Sequence, residues 1–198
     1  PFHVEVDAAG RHLFCANFMS GSVSVLPIEN DGSLGEMCCF VQHEGMSVDV
    51  KRQRGPHAHG VFFAPGNKRV FVPDLGVDCV VCYDFEERTG RLAHCARLDI
   101  PAPVRGTGPR HTEMGSTVHA YRYDETTGKA ELSQTLATIP EGVSHDETST
   151  AAIKIHPNGK LLYVSNRGHD SLAVYSIDEE TGLLTLLNIQ RTEGRIPR

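Results

Sequence analysis

Short apolar runs alternate with polar, turn-forming segments along the chain. Leu161-Leu162-Tyr163-Val164 is an apolar run suited to an inner strand covered on both faces, and Ser171-Leu172-Ala173-Val174-Tyr175-Ser176-Ile177 alternates small and large residues, as a following strand would. Pro157-Asn158-Gly159 and Pro65-Gly66-Asn67 supply the backbone angles that reverse the chain between strands. A second kind of turn begins acidic and ends in glycine: Glu86-Glu87-Arg88-Thr89-Gly90, Asp124-Glu125-Thr126-Thr127-Gly128 and Asp178-Glu179-Glu180-Thr181-Gly182 suit longer hairpin loops.

The pattern repeats. Phe14 to Leu26, Phe71 to Tyr83 and Tyr163 to Tyr175 fall into register without gaps, so Asn17, Asp74 and Asn166 share one position, where side chains that close turns are expected. A period of roughly 50 residues built from short strands and polar turns predicts an all-β chain, a β-propeller in which each repeat is one four-stranded blade. About four blades are expected, over approximately 1–50, 51–103, 104–145 and 146–198. The third is incomplete. Its outer half is present as Gly115 to Asp124, but Gly108-Pro109-Arg110-His111 runs into it without a Pro-Asn-Gly turn or an apolar inner strand. Roughly one hairpin is missing, which predicts a deletion or a faulty gene model. The abrupt start at Pro1-Phe2-His3-Val4 and the junction-like Gly194-Arg195-Ile196-Pro197-Arg198 predict an open ring. Its exposed sheet edges favour low solubility or self-association, and little activity from this chain alone.

A net charge of −6 and an isoelectric point near 6.0 argue against a phosphate-backbone partner, so no nucleic acid is expected. No apolar run approaches the ~20 residues that cross a bilayer, and no membrane partner is expected. Cys15, Cys38, Cys39, Cys79, Cys82 and Cys95 are not placed like a secreted disulfide framework, which points to a reducing cytoplasm. Cys79-Val80-Val81-Cys82 has metal or redox spacing, but in a strand residues three apart face opposite ways and no second pair completes a zinc site; strand packing is the expected role.

Three polar phrases between the strands are candidates for chemistry, since loops on a rigid scaffold carry it. Gln53-Arg54-Gly55-Pro56-His57-Ala58-His59 places two imidazoles ahead of Val61-Phe62-Phe63. Gly106-Thr107-Gly108-Pro109-Arg110-His111 places a guanidinium and an imidazole at the corresponding point of the next repeat. Ser165-Asn166-Arg167-Gly168-His169-Asp170 lies at a strand exit. In a propeller these junctions lie close to the axis, where His57, His59, Arg110 and Arg167 would converge. Arginine grips a carboxylate or phosphate through paired hydrogen bonds, and histidine titrates where a base that activates water must. The implied ligand is a small, hydrolysable anion. Plainer roles stand beside these: His57 and His59 as turn histidines, or as two ligands of a metal that still needs a third, and Arg167 as a partner of Asp170 or a cap on carbonyls between blades.

Together, Gly55-Pro56-His57-Ala58-His59, Val72-Pro73-Asp74-Leu75-Gly76, Gly108-Pro109-Arg110-His111 and Ser165-Asn166-Arg167-Gly168-His169-Asp170-Ser171 closely resemble the lactonase family of seven-bladed propellers, over nearly the whole chain. That family includes propeller-type 6-phosphogluconolactonases and the fungal carboxy-muconate cyclase. The resemblance implies a cytoplasmic hydrolase with no organic cofactor and no metal, which opens the ring of 6-phosphogluconolactone in the pentose phosphate pathway. It implies catalytic roles for His57, His59, Arg110, Glu113 and Arg167, with Arg110, His111, Arg167 and His169 holding the small anionic lactone. The family's Glu follows an Asn; here Glu113 follows Thr112, only three residues after Arg110. Two alternatives remain open: cycloisomerisation of a carboxylated muconate, and a non-catalytic propeller that offers its rim to a protein partner. The loops carry Arg, His and Gly rather than the apolar residues such a rim would need.

Overall fold

The computed structural model describes residues 1–109, 116–144 and 148–197. Four antiparallel sheets follow one another along the chain. The first contains β1 (His3–Val6), β2 (His12–Asn17), β3 (Ser22–Pro27) and β4 (Cys39–Gln42) in that order. The second contains β5 (Phe62–Phe63), β6 (Arg69–Asp74), β7 (Cys79–Glu86) and β8 (Arg91–His94), with β9 (Ile100–Pro101) also paired to β7. The third has two strands among the described residues, β10 (Thr117–Tyr123) and β11 (Ala130–Ala137). The fourth runs β12 (Ser149–Ile155), β13 (Leu161–Arg167), β14 (Ser171–Ile177) and β15 (Leu184–Arg191). These are propeller blades, the third of them short.

The second and third strands of the three full sheets pair in one register. Phe14 faces Val25, Phe71 faces Cys82 and Tyr163 faces Val174; Asn17 faces Ser22, Asp74 faces Cys79 and Asn166 faces Ser171. A one-residue slip would turn every apolar side chain to the other face, so the alternation itself holds the register. Along β13, Leu162 and Val164 are buried while Leu161 and Tyr163 are half-buried. The run is therefore a one-sided alternation rather than the two-sided burial its composition suggests, although β13 does lie between β12 and β14.

The outer edge of the second sheet is interrupted. Between β8 and β9 the chain makes a 3-10 turn, Ala96–Leu98, and the Asp99 carboxylate accepts the Cys82 N–H at 2.8 Å in place of a strand carbonyl. The acidic-start turns work as their composition suggests: Asp178 Oδ1 accepts the N–H and the hydroxyl of Thr181 at 2.8 and 2.7 Å, and Gly182 closes the loop at φ 70°. Those donors hold the exposed Asp178 carboxyl below its ordinary pKa.

The chain divides into two compact units, Pro1–Arg110 with Glu125–Gly128, and His111–Asp124 with Lys129–Arg198. In the first, Phe14, Val23 and Val25 of one sheet pack with Val70, Val72, Tyr83 and Phe85 of the next. The rings of Phe14, Phe63 and Phe85 meet edge to face at 4.9–5.6 Å, the arrangement their quadrupoles favour. In the second, Val118 of β10 joins Leu162, Val164, Ala173, Tyr175 and Leu184. Each Val, Leu or Phe among them contributes about 1.5–3 kcal/mol through burial.

Candidate functional site

The turn between β6 and β7 organises the first unit. Asp74, at the last position of β6, is fully buried. Its Oδ1 accepts the backbone N–H groups of His57 at 2.7 Å, Gly76 at 2.8 Å and Val77 at 3.2 Å, and its Oδ2 accepts His43 Nδ1–H at 2.6 Å. A buried carboxylate is costly unless its lone pairs are met, and here four donors meet them. The segment carrying the two imidazoles is stitched to this strand end: Ala58 bridges Asp74, His59 N–H donates to the Pro73 carbonyl at 2.9 Å, and Leu75 N–H donates to the His57 carbonyl at 3.1 Å. Gln53, fully buried, donates to the Leu75 carbonyl at 2.8 Å and accepts the Asp49 N–H at 2.9 Å.

Two glycines let Gly55 and Pro56 lie close. A Cβ on Gly76 would stand 1.8 Å from the Gly55 carbonyl oxygen, and one on Gly21, at φ +64°, would stand 2.4 Å from that of Pro56. Both contacts are with backbone, so no side-chain rotation would relieve them.

His57 and His59 are thereby brought to one aromatic patch. The half-buried His57 ring stacks on Phe18, with centroids 4.6 Å apart and planes 16° apart, and its Nδ1 lies 3.0 Å from the Phe18 carbonyl. His59 is buried, 4.4 Å from Phe2 and edge-on to Phe18 at 5.8 Å. His57 is the better placed of the two to meet a ligand.

At the other end of the same turn, Asp78 adopts φ 62° and anchors the approach to the second basic phrase. Its Oδ1 accepts the Gly108 N–H at 2.7 Å, and its Oδ2 accepts the Gly106 N–H at 2.5 Å and the Ser47 hydroxyl at 3.0 Å. Arg110, His111 and Glu113, which that phrase contributes to the expected site, lie outside the described residues.

In the second unit Arg167 ends β13 half-buried, its Nε donating to the Pro197 carbonyl at 3.5 Å. His169 is buried beside it in sequence, Nδ1 lying 2.8 Å from Ser171 Oγ, and its carbonyl accepts from Arg191 Nη1. Burial, and then the Arg191 charge, push the His169 pKa below its ordinary 6.5. Asp170 is engaged elsewhere, its Oδ1 accepting the Ile196 N–H at 2.9 Å. Asn166 is fully buried and donates through Nδ2 to the Thr138 carbonyl at 2.7 Å and Ser171 Oγ at 3.1 Å.

The six cysteines are free thiols. Burial, reinforced by Asp99, Asp74 and Asp78, raises Cys79 to about 12; burial, reinforced by Cys95, raises Cys82 to about 11. Thiols so shifted stay protonated at neutral pH and are poor nucleophiles and poor metal ligands. Among the described residues no group of three or more His, Cys, Asp or Glu side chains is arranged to hold a metal ion.

Sequence reading singled out the imidazoles and missed what holds them. His43 carries no local motif, and its partner lies 31 positions away. Asp74 was legible as a turn residue by repeat position, but not as the anchor of the His57 segment. Phe18 looked like one more apolar residue.

Known proteins bear on this arrangement. The chain is 34% identical to a 6-phosphogluconolactonase of Bacillus subtilis, matching 100% of its own length and 58% of that protein. Among solved structures, a Lactobacillus plantarum protein superposes with a TM-score of 0.88 at 33% identity, over 100% of this chain and 59% of that one. The periplasmic gluconolactonase PpgL of Pseudomonas aeruginosa gives 0.88 at 29% identity, with the same coverage. The chain thus spans rather more than half the length of the relatives it matches. Residues 1–198 match the family described as Lactonase, 7-bladed beta-propeller, and the chain belongs to that family.

Proposed function

We propose that this chain carries the anion-gripping and proton-transfer groups of a lactonase that hydrolyses 6-phosphogluconolactone to 6-phosphogluconate, a step of the pentose phosphate pathway. One observation carries the reading: His57, half-buried and hydrogen-bonded, sits on a segment anchored by Asp74, within a chain that is similar along its whole length to proteins named 6-phosphogluconolactonase. In this reading Arg110 and Arg167 hold the phosphate and polarise the lactone carbonyl, with His111 and His169 lining the substrate. His57 takes a proton from water as its oxygen adds to the carbonyl carbon. The oxyanion forms against guanidinium, the ring C–O bond breaks, and the departing alkoxide takes up a proton. His59 backs the His57 segment, and Glu113 is a second candidate for the proton. In this reading the repeats run over about 1–50, 51–103, 104–145 and 146–198. Six free thiols favour the cytoplasm, whereas the Pseudomonas relative is periplasmic. Among the described residues no helix is long and apolar enough to cross a membrane.

The test supplies purified protein with the phosphorylated lactone and with carboxy-muconate in parallel, each against its spontaneous rate. Acceleration of lactone opening alone is expected, weak from this chain, with Arg167→Ala, made also at the matching position of a complete homologue, reducing it by about 10²–10³-fold. Turnover of the muconate alone, or wild-type hydrolysis by Arg167→Ala, overturns the assignment. Sedimentation of the same sample reads whether open sheet edges cause self-association.

A further inference from the structure

We propose that Phe18 and the buried His43–Asp74 pair are positioning residues that hold His57 in a single tautomer, with the proton on Nδ1 and the lone pair on Nε2. The Phe18 carbonyl lies 3.0 Å from His57 Nδ1, and a carbonyl oxygen can only accept. Nδ1 must therefore carry hydrogen, which leaves Nε2 of the neutral ring as the acceptor. The Phe18 ring, stacked at 4.6 Å, resists the ring flip that would exchange the two nitrogens.

The backbone of His57 is fixed as firmly. Its N–H goes to Asp74 Oδ1 at 2.7 Å and its carbonyl accepts from Leu75 at 3.1 Å. His43 ties the two gripping turns together. Its ring donates to Asp74 in the β6–β7 turn, while its own N–H donates to the Gly21 carbonyl at 3.0 Å in the β2–β3 turn that carries Phe18. His57 is thus held between the turns of two successive sheets of the first unit, and one buried residue, through its ring and its backbone N–H, links both.

The consequence for catalysis rests on the reading of His57 as the base: Nε2 is the atom that would accept the proton of water, ready without tautomer exchange. The tautomer can be measured without any turnover. In the chain with nitrogen-15-labelled histidine, at about pH 8, where an ordinary histidine is neutral, long-range nitrogen–proton correlation should give His57 a pyrrole-type Nδ1 and a pyridine-type Nε2. A proton on Nε2, or an even mixture, overturns the proposal. Asp74→Ala should produce a tautomer mixture and accelerate exchange of the His57 amide about tenfold or more. If instead this variant loses thermal stability while the tautomer stays single, the His43–Asp74 pair is only structural and that part of the proposal falls. Asp74→Asn decides the matter should the alanine variant not fold. It retains an oxygen for the three N–H groups but turns an amide donor towards His43 Nδ1–H, so His57 amide exchange should rise several-fold, and an unchanged rate refutes the link. A single Nδ1–H tautomer without lactone opening would leave this inference standing and remove the proposed function; lactone opening with the opposite tautomer would do the reverse.

Discussion

The β6–β7 turn of the first unit and the β13–β14 turn of the second close in the same way and serve different ends. Asp78 and Asp170 hold equivalent positions with φ of 62° and 50°. Their carbonyls accept the N–H groups of Ala102 and Thr192 at 2.9 and 3.0 Å, and their Oδ1 atoms accept those of Gly108 and Ile196 at 2.7 and 2.9 Å. The turns diverge at the residue that opens them. Asp74 has only acceptors to offer and gathers four donors, the His57 N–H among them. Asn166 offers an amide, and uses it to reach the Thr138 carbonyl and Ser171. The difference between a carboxylate and an amide goes with the capture of a donor-rich loop in one turn and of a carbonyl in the other, on turns that end alike at Asp78 and Asp170 but differ at the glycine between, where Gly168 has φ 83° and Gly76 has no positive φ.

Asp74→Ala should separate the two turns most. It strands the His43 ring N–H and three backbone N–H groups in a buried site, and should cost about 3–5 kcal/mol in denaturant unfolding. Asn166→Ala removes a neutral donor pair and should cost about 1–3 kcal/mol. Equal losses would show that the carboxylate has no special burden. Gly76→Ala comes next. Its Cβ would meet the Gly55 carbonyl at 1.8 Å, so a loss of roughly 1–3 kcal/mol, with displaced His57 resonances, is expected. An unperturbed His57 spectrum would mean the loop has slack.

The smallest effect is the pH response of the second turn. His169 is buried with its pKa lowered, whereas Val77 holds the equivalent position in the first unit and cannot titrate. The unfolded state then binds the proton more readily than the native state. Stability is full above about 6.5, the ordinary histidine value, and falls as pH drops below it towards the lower native pKa. His169→Gln should flatten that slope in thermal melts between about pH 7 and 5. A slope that survives the substitution would assign the effect to other groups.

Much of the site's frame was visible from residue order. Asn17, Asp74 and Asn166 announced themselves by repeat position, and the cysteines by their strand context. His57 and Arg167 stood out as basic groups at strand junctions, with turn and capping roles standing beside the chemical one. His43 gave no such signal: it follows Gln42 at the end of β4, and only folding brings it to Asp74 at 2.6 Å. Asp99 was equally silent, since its role is to replace a missing strand carbonyl beside Cys82.

By itself the sequence determined the strands, their turns and their register, because alternation of apolar and polar side chains and the need for positive φ at turn glycines act over a few residues. Tertiary structure alone decided which histidine is half-open and which is packed away, which atom of His57 carries hydrogen, and which carboxylate anchors its segment. Those outcomes depend on groups tens of residues apart meeting within hydrogen-bonding distance, and no local pattern encodes such a meeting.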